Sequence, residues 1–154
     1  MITVLQRVTE AAVTVDGRCV GQIGKGALLL IGVEKGDDAV DAAATAKKIA
    51  ALRFFPGRTP MDLTLAEAGG ACLAVSQFTL AAAVRKGNRP GFSHAEDPTR
   101  ADVLYRRVCT ELTTLGLPVE TGEFGASMQV SLINDGPITF LLSVRDGKVR
   151  DLIA

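Results

Sequence analysis

The chain has 154 residues, and its 17 basic and 17 acidic side chains give a formal net charge of zero. With 47% apolar residues it can build one domain around a good core, which excludes a disordered chain. The balanced charge argues against broad binding of duplex nucleic acid, because proteins that hold duplexes by their phosphates carry a basic excess. Any nucleic-acid contact is expected to be small, such as one RNA end.

The three cysteines, Cys19, Cys72 and Cys109, are odd in number and widely spaced. Because neither a C-x-x-C motif nor a Cys/His pairing is present, we expect reduced, mostly buried thiols, no metal and no cofactor. The longest apolar run is far shorter than the roughly 20 residues that span a bilayer. The first residues lack the charged start and cleavage site of a signal peptide, so we expect a cytoplasmic protein without membrane contact.

The N-terminal part of the chain is typical of strands. Alternating apolar residues at 2–9 and 12–15 predict two strands. Asp16-Gly17 predicts a tight hairpin, because type I′ turns need positive φ at both positions. The returning strand is predicted at Arg18–Ile23, and a continuous apolar run at 27–33 indicates a strand that is buried on both faces.

A helix and a second buried strand follow. Asp37 or Asp38 is a suitable N-cap for a helix that runs to about Ala51. Its apolar stripe consists of Val40, Ala43, Ala46, Ile49 and Ala50. The apolar segment 71–75 predicts the strand, which delivers residues 76–79 at its C-terminal end.

The second half of the chain is predicted to contain a loop, a helix and further strands. Residues 81–96, rich in glycine, proline and basic residues, are typical of a loop of functional size. Asp97 caps the second helix, with Pro98 in its first turn. The helix face is lined by Ala101, Leu104, Val108, Leu112 and Leu115. Strands are expected at 119–124, 128–133 and 138–144, with Gly136-Pro137 joining the last two. This order predicts a single α+β domain over residues 1–154 with a mixed sheet.

Ser76-Gln77-Phe78-Thr79, at the end of a buried strand, is the first candidate for chemistry. Ser76 lacks the G-x-S-x-G elbow of a strand-end nucleophile. Its pairing with His94, the single histidine, is an alternative that the spacing does not favour. Thr79 is another hydroxyl, but no base lies near it in the sequence. The alternative without catalysis is that Ser76 and Thr79 cap backbone groups at the strand end.

Four other features have two interpretations each. Gly136-Pro137 can adopt unusual backbone geometry, including a cis bond, or can start a strand. Arg7 can be a buried partner of a neighbouring loop, although the pattern favours a surface charge. Phe124 and Met128 suit either the core or a pocket lining. The basic residues of the loop, which are either solvated or in contact with an RNA end, are Arg85, Lys86 and Arg89.

Several short blocks resemble, in the right order, the D-aminoacyl-tRNA deacylase family, whose members remove D-amino acids from mischarged tRNA. The most specific blocks are Ser76-Gln77-Phe78-Thr79-Leu80 and Asn134-Asp135-Gly136-Pro137-Ile138-Thr139. Others are Gln6-Arg7-Val8, Gly32-Val33-Glu34-Lys35, Arg89-Pro90-Gly91-Phe92 and Phe124-Gly125-Ala126. The chain departs from the family at Asp62, Gly91 and Ser127, and residues 145–154 run past the family's common end.

The resemblance implies a mixed or antiparallel, barrel-like sheet with two main helices, in a homodimer whose active site lies at the subunit interface. The first block of one subunit would line the pocket. A cis Gly136-Pro137 pair of the other subunit would form a wall that rejects L-amino acids. The implied reaction is hydrolysis of the ester between a D-amino acid, or glycine, and the end of tRNA, without a cofactor.

The site residues that the resemblance implies are of three kinds. Those expected to be catalytic are Thr79, Gln77, Ser76 and Phe78. Those expected to bind substrate are Gly136, Pro137, Arg7, Met128, Phe124, Ala126, Asn134, Ile138 and Thr139. Those expected to contact tRNA are Arg85, Lys86 and Arg89. Phe78 would contact the terminal adenine, and Arg7 would hold the Gly136-Pro137 loop. Both a covalent role and a positioning role stay open for Thr79.

Overall fold

Residues 1–153 are described by the computed structural model of the protein, and they form a seven-stranded mixed sheet with two α-helices. The strands are β1 (Ile2–Val15), β2 (Arg18–Ile23), β3 (Gly26–Gly32), β4 (Ala71–Ser76), β5 (Val119–Thr121), β6 (Gln129–Arg145) and β7 (Lys148–Arg150). The helices are α1 (Ala39–Ala51), α2 (Pro98–Thr114) and a short 3₁₀ helix at Phe78–Ala81. Neither α-helix of these residues is long and apolar enough to cross a membrane.

Strand β1 is the centre of the sheet, whose order is β5-β4-β3-β1-β6-β7. It pairs antiparallel with β6 along one side, and on its other side first with β3 and then with β2. Strands β3, β4 and β5 are parallel, and α1 and α2 are the crossovers that join them. Because successive right-handed crossovers that move in one direction lie on one face of a sheet, the two helices pack against each other.

The core has a layer on each face of the sheet. The larger cluster lies between the sheet and the helices, and it includes Leu29, Ile49 and Val108. The smaller cluster lies on the opposite face and includes Leu28 and Leu73. Successive residues of a strand point to opposite faces, so Leu28 and Leu29 are buried in different clusters. The prediction that this strand is buried on both faces is confirmed.

The N-terminus of α1 distinguishes between the two predicted caps. The carboxylate of Asp38 accepts hydrogen bonds from the backbone N–H groups of Val40 at 3.0 Å and Asp41 at 3.3 Å, so Asp38 is the N-cap. Asp37 is instead fully buried. Its two carboxylate oxygens accept from the α-amino group of Met1 at 2.8 Å and from the backbone N–H of Glu34 at 2.7 Å.

Two residues of the predicted helix faces are exposed. Asp97 caps α2 and Pro98 is its first residue, as predicted. Leu115 is 46% exposed, because α2 ends before it. Val40 is 60% exposed, because it lies in the first turn of α1 on the side away from the buried residues Asp41 and Ala42. The predicted apolar faces are therefore exposed only at the start of α1 and just past the end of α2.

The predicted barrel-like closure is wrong. Strands β5 and β7 have three residues each, and they lie at opposite ends of the hydrogen-bonded order. No ladder joins these two edges within residues 1–153. Strands β2 and β5 lie close together, as a Cβ on Gly21 would clash with the carbonyl oxygen of Thr121. Within residues 1–153, however, β2 pairs only with β1. The sheet is rolled and open.

Two pairs of predicted strands are each one continuous strand. β1 covers both 2–9 and 12–15, and β6 covers nearly all of 128–133 and 138–144. Within β6 the pairing with β1 is interrupted between Asn134 and Thr139 and then resumes in the same direction. Gly136-Pro137 therefore lies in a bulge of one strand and does not connect two strands.

Candidate active site

Strand β4 ends beside a cavity, and the first sequence block lies at that end. The backbone N–H of Gln77 donates to the carbonyl oxygen of Ile31 at 2.8 Å, which extends the parallel β3–β4 pairing. The chain then turns into the 3₁₀ helix beside Gly32, where a Cβ would lie 2.9 Å from the Cβ of Leu80. A glycine at the end of β3 thus makes room for the turn that follows β4.

The cavity has a volume of about 680 Å³, which is in the range of small-molecule sites. Six predicted site residues line it: Ser76, Gln77, Phe78, Phe124, Ala126 and Met128. Its apolar floor includes Val33, Val75, Ala101 and Val130, for which no site role was predicted. Their only signal in the sequence is apolar periodicity, which is equally typical of core residues.

The segment after β5 and the helix α2 are both held against β4 by hydrogen bonds to one carbonyl group of that strand. The carbonyl oxygen of Ala74 accepts from the Tyr105 hydroxyl at 2.6 Å and from the backbone N–H of Gly122 at 3.2 Å. The Phe124 ring centroid lies 6.2 Å from that of Tyr105. A Cβ on Gly122 would lie 2.8 Å from the sulfur of Met128. These contacts hold the lining residues Phe124 and Met128 close to β4.

Hydrogen-bond donors are found at Gln77, Phe78 and Thr79, of which Gln77 and Phe78 line the cavity. Nε2 of Gln77 donates to Oγ1 of Thr79 at 2.5 Å, which leaves the Thr79 hydroxyl proton available to a ligand. Phe78 and Thr79 are the first residues of the 3₁₀ helix, and the first N–H groups of a helix have no acceptor within it. Donors of this kind suit a carbonyl oxygen that gains negative charge.

The other nucleophile candidates are poorly placed. His94 is exposed and does not line the cavity beside Ser76, so the Ser76/His94 dyad is not formed. Burial raises the pKa of the Cys72 thiol to about 12, which keeps it neutral and weakly nucleophilic at neutral pH. Residues 1–153 contain no cluster of three or more His, Cys, Asp or Glu side chains that could hold a metal ion.

The second sequence block is a bulge in β6. Gln6 pairs with Thr139 and Val8 pairs with Asn134, so residues 135–138 lie opposite Arg7 alone. The Gly136-Pro137 peptide bond is cis, and Gly136 has a φ of 126°, where an L side chain is strained. Gly136 and Pro137 are both exposed, so the bulge presents its backbone to solvent.

Arg7 and Asn134 brace this bulge. Nε of Arg7 donates to the carbonyl oxygen of Asp135 at 3.2 Å and lies 3.1 Å from its carboxylate. Nη1 of Arg7 donates to the carbonyl oxygen of Phe54 at 2.9 Å. Nδ2 of Asn134 donates at 2.9 Å to the carbonyl oxygens of Arg7 and Ile138. Arg7 is only 8% exposed, so its interpretation as a surface charge is wrong, and it is a buried partner of the neighbouring loop.

The two blocks lie apart within one chain. β4 and β6 are separated in the sheet by β3 and β1, and three strand spacings amount to roughly 14 Å. The predicted catalytic and substrate-binding residues that do not line the cavity are Thr79, Gly136, Pro137, Arg7, Asn134, Ile138 and Thr139. Thr79 is the immediate neighbour of the lining residue Phe78. The structure therefore assembles the residues of each block but does not bring the blocks together.

The predicted tRNA contacts Arg85, Lys86 and Arg89 project from residues 84–90, which we call the finger, and all three are exposed. Ala83 and Gly91 close the base of the finger through reciprocal backbone hydrogen bonds of 2.8 and 2.9 Å. The finger therefore has a fixed root beside the cavity.

Two further residues of the cavity rim had no predicted role. Phe92, just after the finger, and Lys35, just after β3, both line the cavity. The ring of Phe92 lies 5.1 Å from the ring of Phe78, centroid to centroid. The sequence feature that could have indicated Phe92 is an aromatic residue next to a basic, glycine- and proline-rich loop.

Comparison with known proteins identifies the class to which this domain belongs. The model of the family described as D-Tyr-tRNA(Tyr) deacylase matches residues 4–143. The chain belongs to that family, and as a member it is an enzyme, a hydrolase of the deacylase class. The predicted family is confirmed.

Individual relatives agree with this assignment. The D-aminoacyl-tRNA deacylase of Anaeromyxobacter dehalogenans is 54% identical, over 94% of this chain and 98% of its own length. That of Psychromonas ingrahamii is 50% identical, over 94% of this chain and all of its own length, 100%.

Solved structures show the same fold. The c-Myc DNA Unwinding Element Binding Protein has a TM-score of 0.87 and 36% identity, covering 93% of this chain and 98% of that one. A probable eukaryotic D-amino acid tRNA deacylase has a TM-score of 0.76, covering 91% of this chain and 97% of that one. At 16% identity it is similar in fold alone.

Proposed function

We propose that this protein hydrolyses the ester bond that joins a D-amino acid, and also glycine, to the 3′ end of tRNA. The products are the free amino acid and the tRNA, so the reaction corrects mischarged tRNA, and its place is the cytoplasm, where aminoacyl-tRNA is used. Family membership over residues 4–143 supports the reaction. The observation that carries the mechanism is the separation of the cavity from the Gly136-Pro137 bulge within one chain.

A homodimer would complete the site, because the bulge of one subunit can enter the cavity of the other. The surface around the bulge supports this arrangement. Ile133 and Leu141 lie on β6 on either side of it and are 53% and 55% exposed. Apolar side chains exposed on a strand with a projecting backbone loop are typical of a surface that a second protein copy covers.

Selection against L-amino acids would come from the backbone of Gly136 and Pro137. A backbone wall cannot rotate away as a side chain can, and Arg7 and Asn134 hold it from beneath. An L side chain would collide with this wall, whereas a D side chain points away from it and glycine has none. Specificity of this kind rejects the wrong substrate by a clash, so many different D-amino acids can be accepted.

Hydrolysis would proceed by attack of water on an ester that is already activated. The backbone N–H groups of Phe78 and Thr79 would bind the carbonyl oxygen as it gains charge. Gln77 and Ser76 position the substrate, and the Thr79 hydroxyl, held by Gln77, donates to it. The water oxygen bonds to the carbonyl carbon, the bond between that carbon and the ribose oxygen breaks, and a proton from the water passes to the ribose oxygen. The 2′-hydroxyl of the tRNA would assist the water, so no protein nucleophile is required.

The test is deacylation of matched D-Tyr-tRNA and L-Tyr-tRNA by the purified protein in the presence of EDTA. We expect rapid loss of the D ester while the L ester is spared. Equal hydrolysis of both esters would contradict the wall, and hydrolysis of neither would contradict the proposed reaction. Glycyl-tRNA, measured in the same assay, is expected to be hydrolysed.

A further inference from the structure

Two aromatic rings are exposed side by side at the mouth of the cavity. Phe78 is 54% exposed and Phe92 is 40% exposed. Their ring centroids are 5.1 Å apart and their planes are inclined by 63°. Because of this inclination, a flat base that stacks on one ring cannot also stack on the other. The pair therefore offers stacking surfaces to two different groups.

The backbone presents Phe92 in a fixed position. Phe92 directly follows Gly91, which exchanges two backbone hydrogen bonds with Ala83. The carbonyl oxygen of Phe92 accepts from the N–H of Ala95 at 3.1 Å. The next residue, Glu96, donates its N–H to the carbonyl oxygen of Val33 at 3.1 Å. A residue whose backbone is held in this way loses little backbone freedom when it binds a ligand.

Basic residues precede Phe92 in the chain, and another lines the same cavity. The finger that precedes it carries Arg85, Lys86 and Arg89, all exposed. Lys35 lines the cavity, and its backbone N–H donates to the carbonyl oxygen of His94 at 2.9 Å, which ties it to the same loop. Aromatic rings between cations are the combination that binds single-stranded nucleic acid, with bases on the rings and phosphates on the cations. These cations favour an anionic strand, rather than part of a second subunit, as the group that covers the Phe92 ring.

We propose that Phe92 stacks the base of the nucleotide that precedes the terminal adenosine of the acceptor end, while the finger and Lys35 hold the flanking phosphates. This subsite rests on the proposed function, in which Phe78 contacts the terminal adenine. Since every base has a face that can stack, the subsite recognises an unpaired RNA end and not a particular sequence. It would bind all acceptor ends alike.

The test compares two substrates, full-length D-Tyr-tRNA and D-tyrosyl-adenosine, which lacks the preceding nucleotide. For Phe92→Ala and Phe92→Leu we expect KM for the tRNA to rise by roughly tenfold or more, with kcat unchanged. KM for D-tyrosyl-adenosine is expected to stay the same. Phe92→Tyr keeps a stacking face and should behave as the wild type. Val103→Ala, at an exposed apolar residue of α2, is the matched control. It should leave KM unchanged for both substrates.

If Phe92→Ala raises KM equally for the two substrates, or for neither, the proposed subsite is contradicted. A Phe92→Ala protein that changes its mass in solution and loses activity on both substrates would show instead that a second subunit covers the ring. If the wild type cleaves neither substrate, the proposed function itself fails. If it cleaves both and Phe92→Ala does not distinguish them, only the subsite fails.

Discussion

Arg7 joins three parts of the molecule through one guanidinium group. It belongs to β1, it donates to Asp135 in the bulge, and it donates to the carbonyl oxygen of Phe54 after α1. Its carbon is also 5.9 Å from the ring centroid of Phe55. Because the side chain is buried, water cannot replace these hydrogen bonds when the guanidinium is removed.

For Arg7→Met we therefore expect a loss of stability and a loss of chiral selection. The carbonyl oxygen of Phe54 would be left without its partner, at a cost of about 1–3 kcal/mol in the free energy of unfolding. The bulge would lose its support, so the ratio of D-Tyr-tRNA to L-Tyr-tRNA hydrolysis should fall. Urea unfolding and the paired deacylation assay measure the two effects.

The matched control is Arg107→Met, because Arg107 pairs with Glu111 on the exposed surface of α2. Exposed pairs of this kind contribute little, so both stability and selectivity should be unchanged. A selectivity ratio that stays at the wild-type value in Arg7→Met would contradict the supporting role of Arg7.

Tyr105 is the single tyrosine in a chain without tryptophan, so its ionisation can be observed directly. Burial, followed by the neighbouring Cys109, raises the pKa of its phenol above the usual value. We expect the tyrosinate absorbance of the folded protein to stay absent through the pH range near 10, in which free tyrosine titrates. In urea the same absorbance should appear near that ordinary value.

The sign of the linked stability follows from this shift. A group whose pKa is raised by folding stabilises the folded state below the unfolded pKa and loses that contribution as pH rises. The free energy of unfolding of the wild type should therefore fall from about pH 10 upward. That of Tyr105→Phe should fall less steeply. Folded protein that titrates near pH 10 would contradict the burial of this hydroxyl.

At the scale of the elements, Asp41 ties α1 to the β6–β7 hairpin. One carboxylate oxygen accepts from the backbone N–H of Gly147 at 2.8 Å, and the other accepts from that of Asp38 at 3.0 Å. Burial opposes the charge of Asp41, but the hydrogen bonds from Gly147 and Asp38 outweigh it, so its pKa is lowered. One side chain thus completes the helix cap and fixes the turn at the end of β6.

For Asp41→Asn we expect a loss of about 1–3 kcal/mol in the free energy of unfolding, because an amide supplies one acceptor where the carboxylate supplies two. A lowered carboxyl pKa stabilises the folded state above the unfolded pKa, and this contribution is lost as pH falls through the folded pKa. The difference in the free energy of unfolding between Asp41→Asn and the wild type should therefore become smaller at acidic pH. Urea unfolding at neutral and acidic pH measures it.

Asp146→Asn is the control for this experiment. Asp146 lies in the same hairpin turn, but its side chain is 76% exposed, so its replacement should alter stability by no more than about 0.5 kcal/mol at either pH. A gap between Asp41→Asn and the wild type that is constant with pH would argue against an ionised Asp41 in the folded state.

At the scale of the whole molecule, the proposed function requires a dimer. Ile133→Arg places a charge in the exposed apolar surface of β6, where burial against a second copy would be costly. We expect the wild type to have twice the chain mass of 16.1 kDa in light scattering. Ile133→Arg should have the mass of one chain and should no longer hydrolyse D-Tyr-tRNA.

Val103→Arg is the comparison variant, since Val103 is 63% exposed on α2, away from the bulge. It should remain dimeric and active. A fully active monomer, whether wild type or Ile133→Arg, would be incompatible with a site shared between subunits.

Local signals in the sequence determined most of the elements and the family. Asp38 and Asp97 cap the two helices, Asp16-Gly17 makes the first turn with positive φ at both residues, and the run within β3 is buried on both faces. These features depend on neighbouring residues in the chain, and so do the two blocks by which the family was recognised. The family model confirms that recognition.

What only the tertiary structure decided depends on contacts between residues far apart in the chain. The burial of Arg7 requires the carbonyl groups of Asp135 and Phe54, which no local pattern brings to it. The continuity of β6 through Gly136-Pro137 depends on pairing with β1 on both sides of the bulge. The openness of the sheet and the distance between the two blocks follow from strand order. Strand order is set by which distant strands pair, and alternation along each strand does not encode that choice.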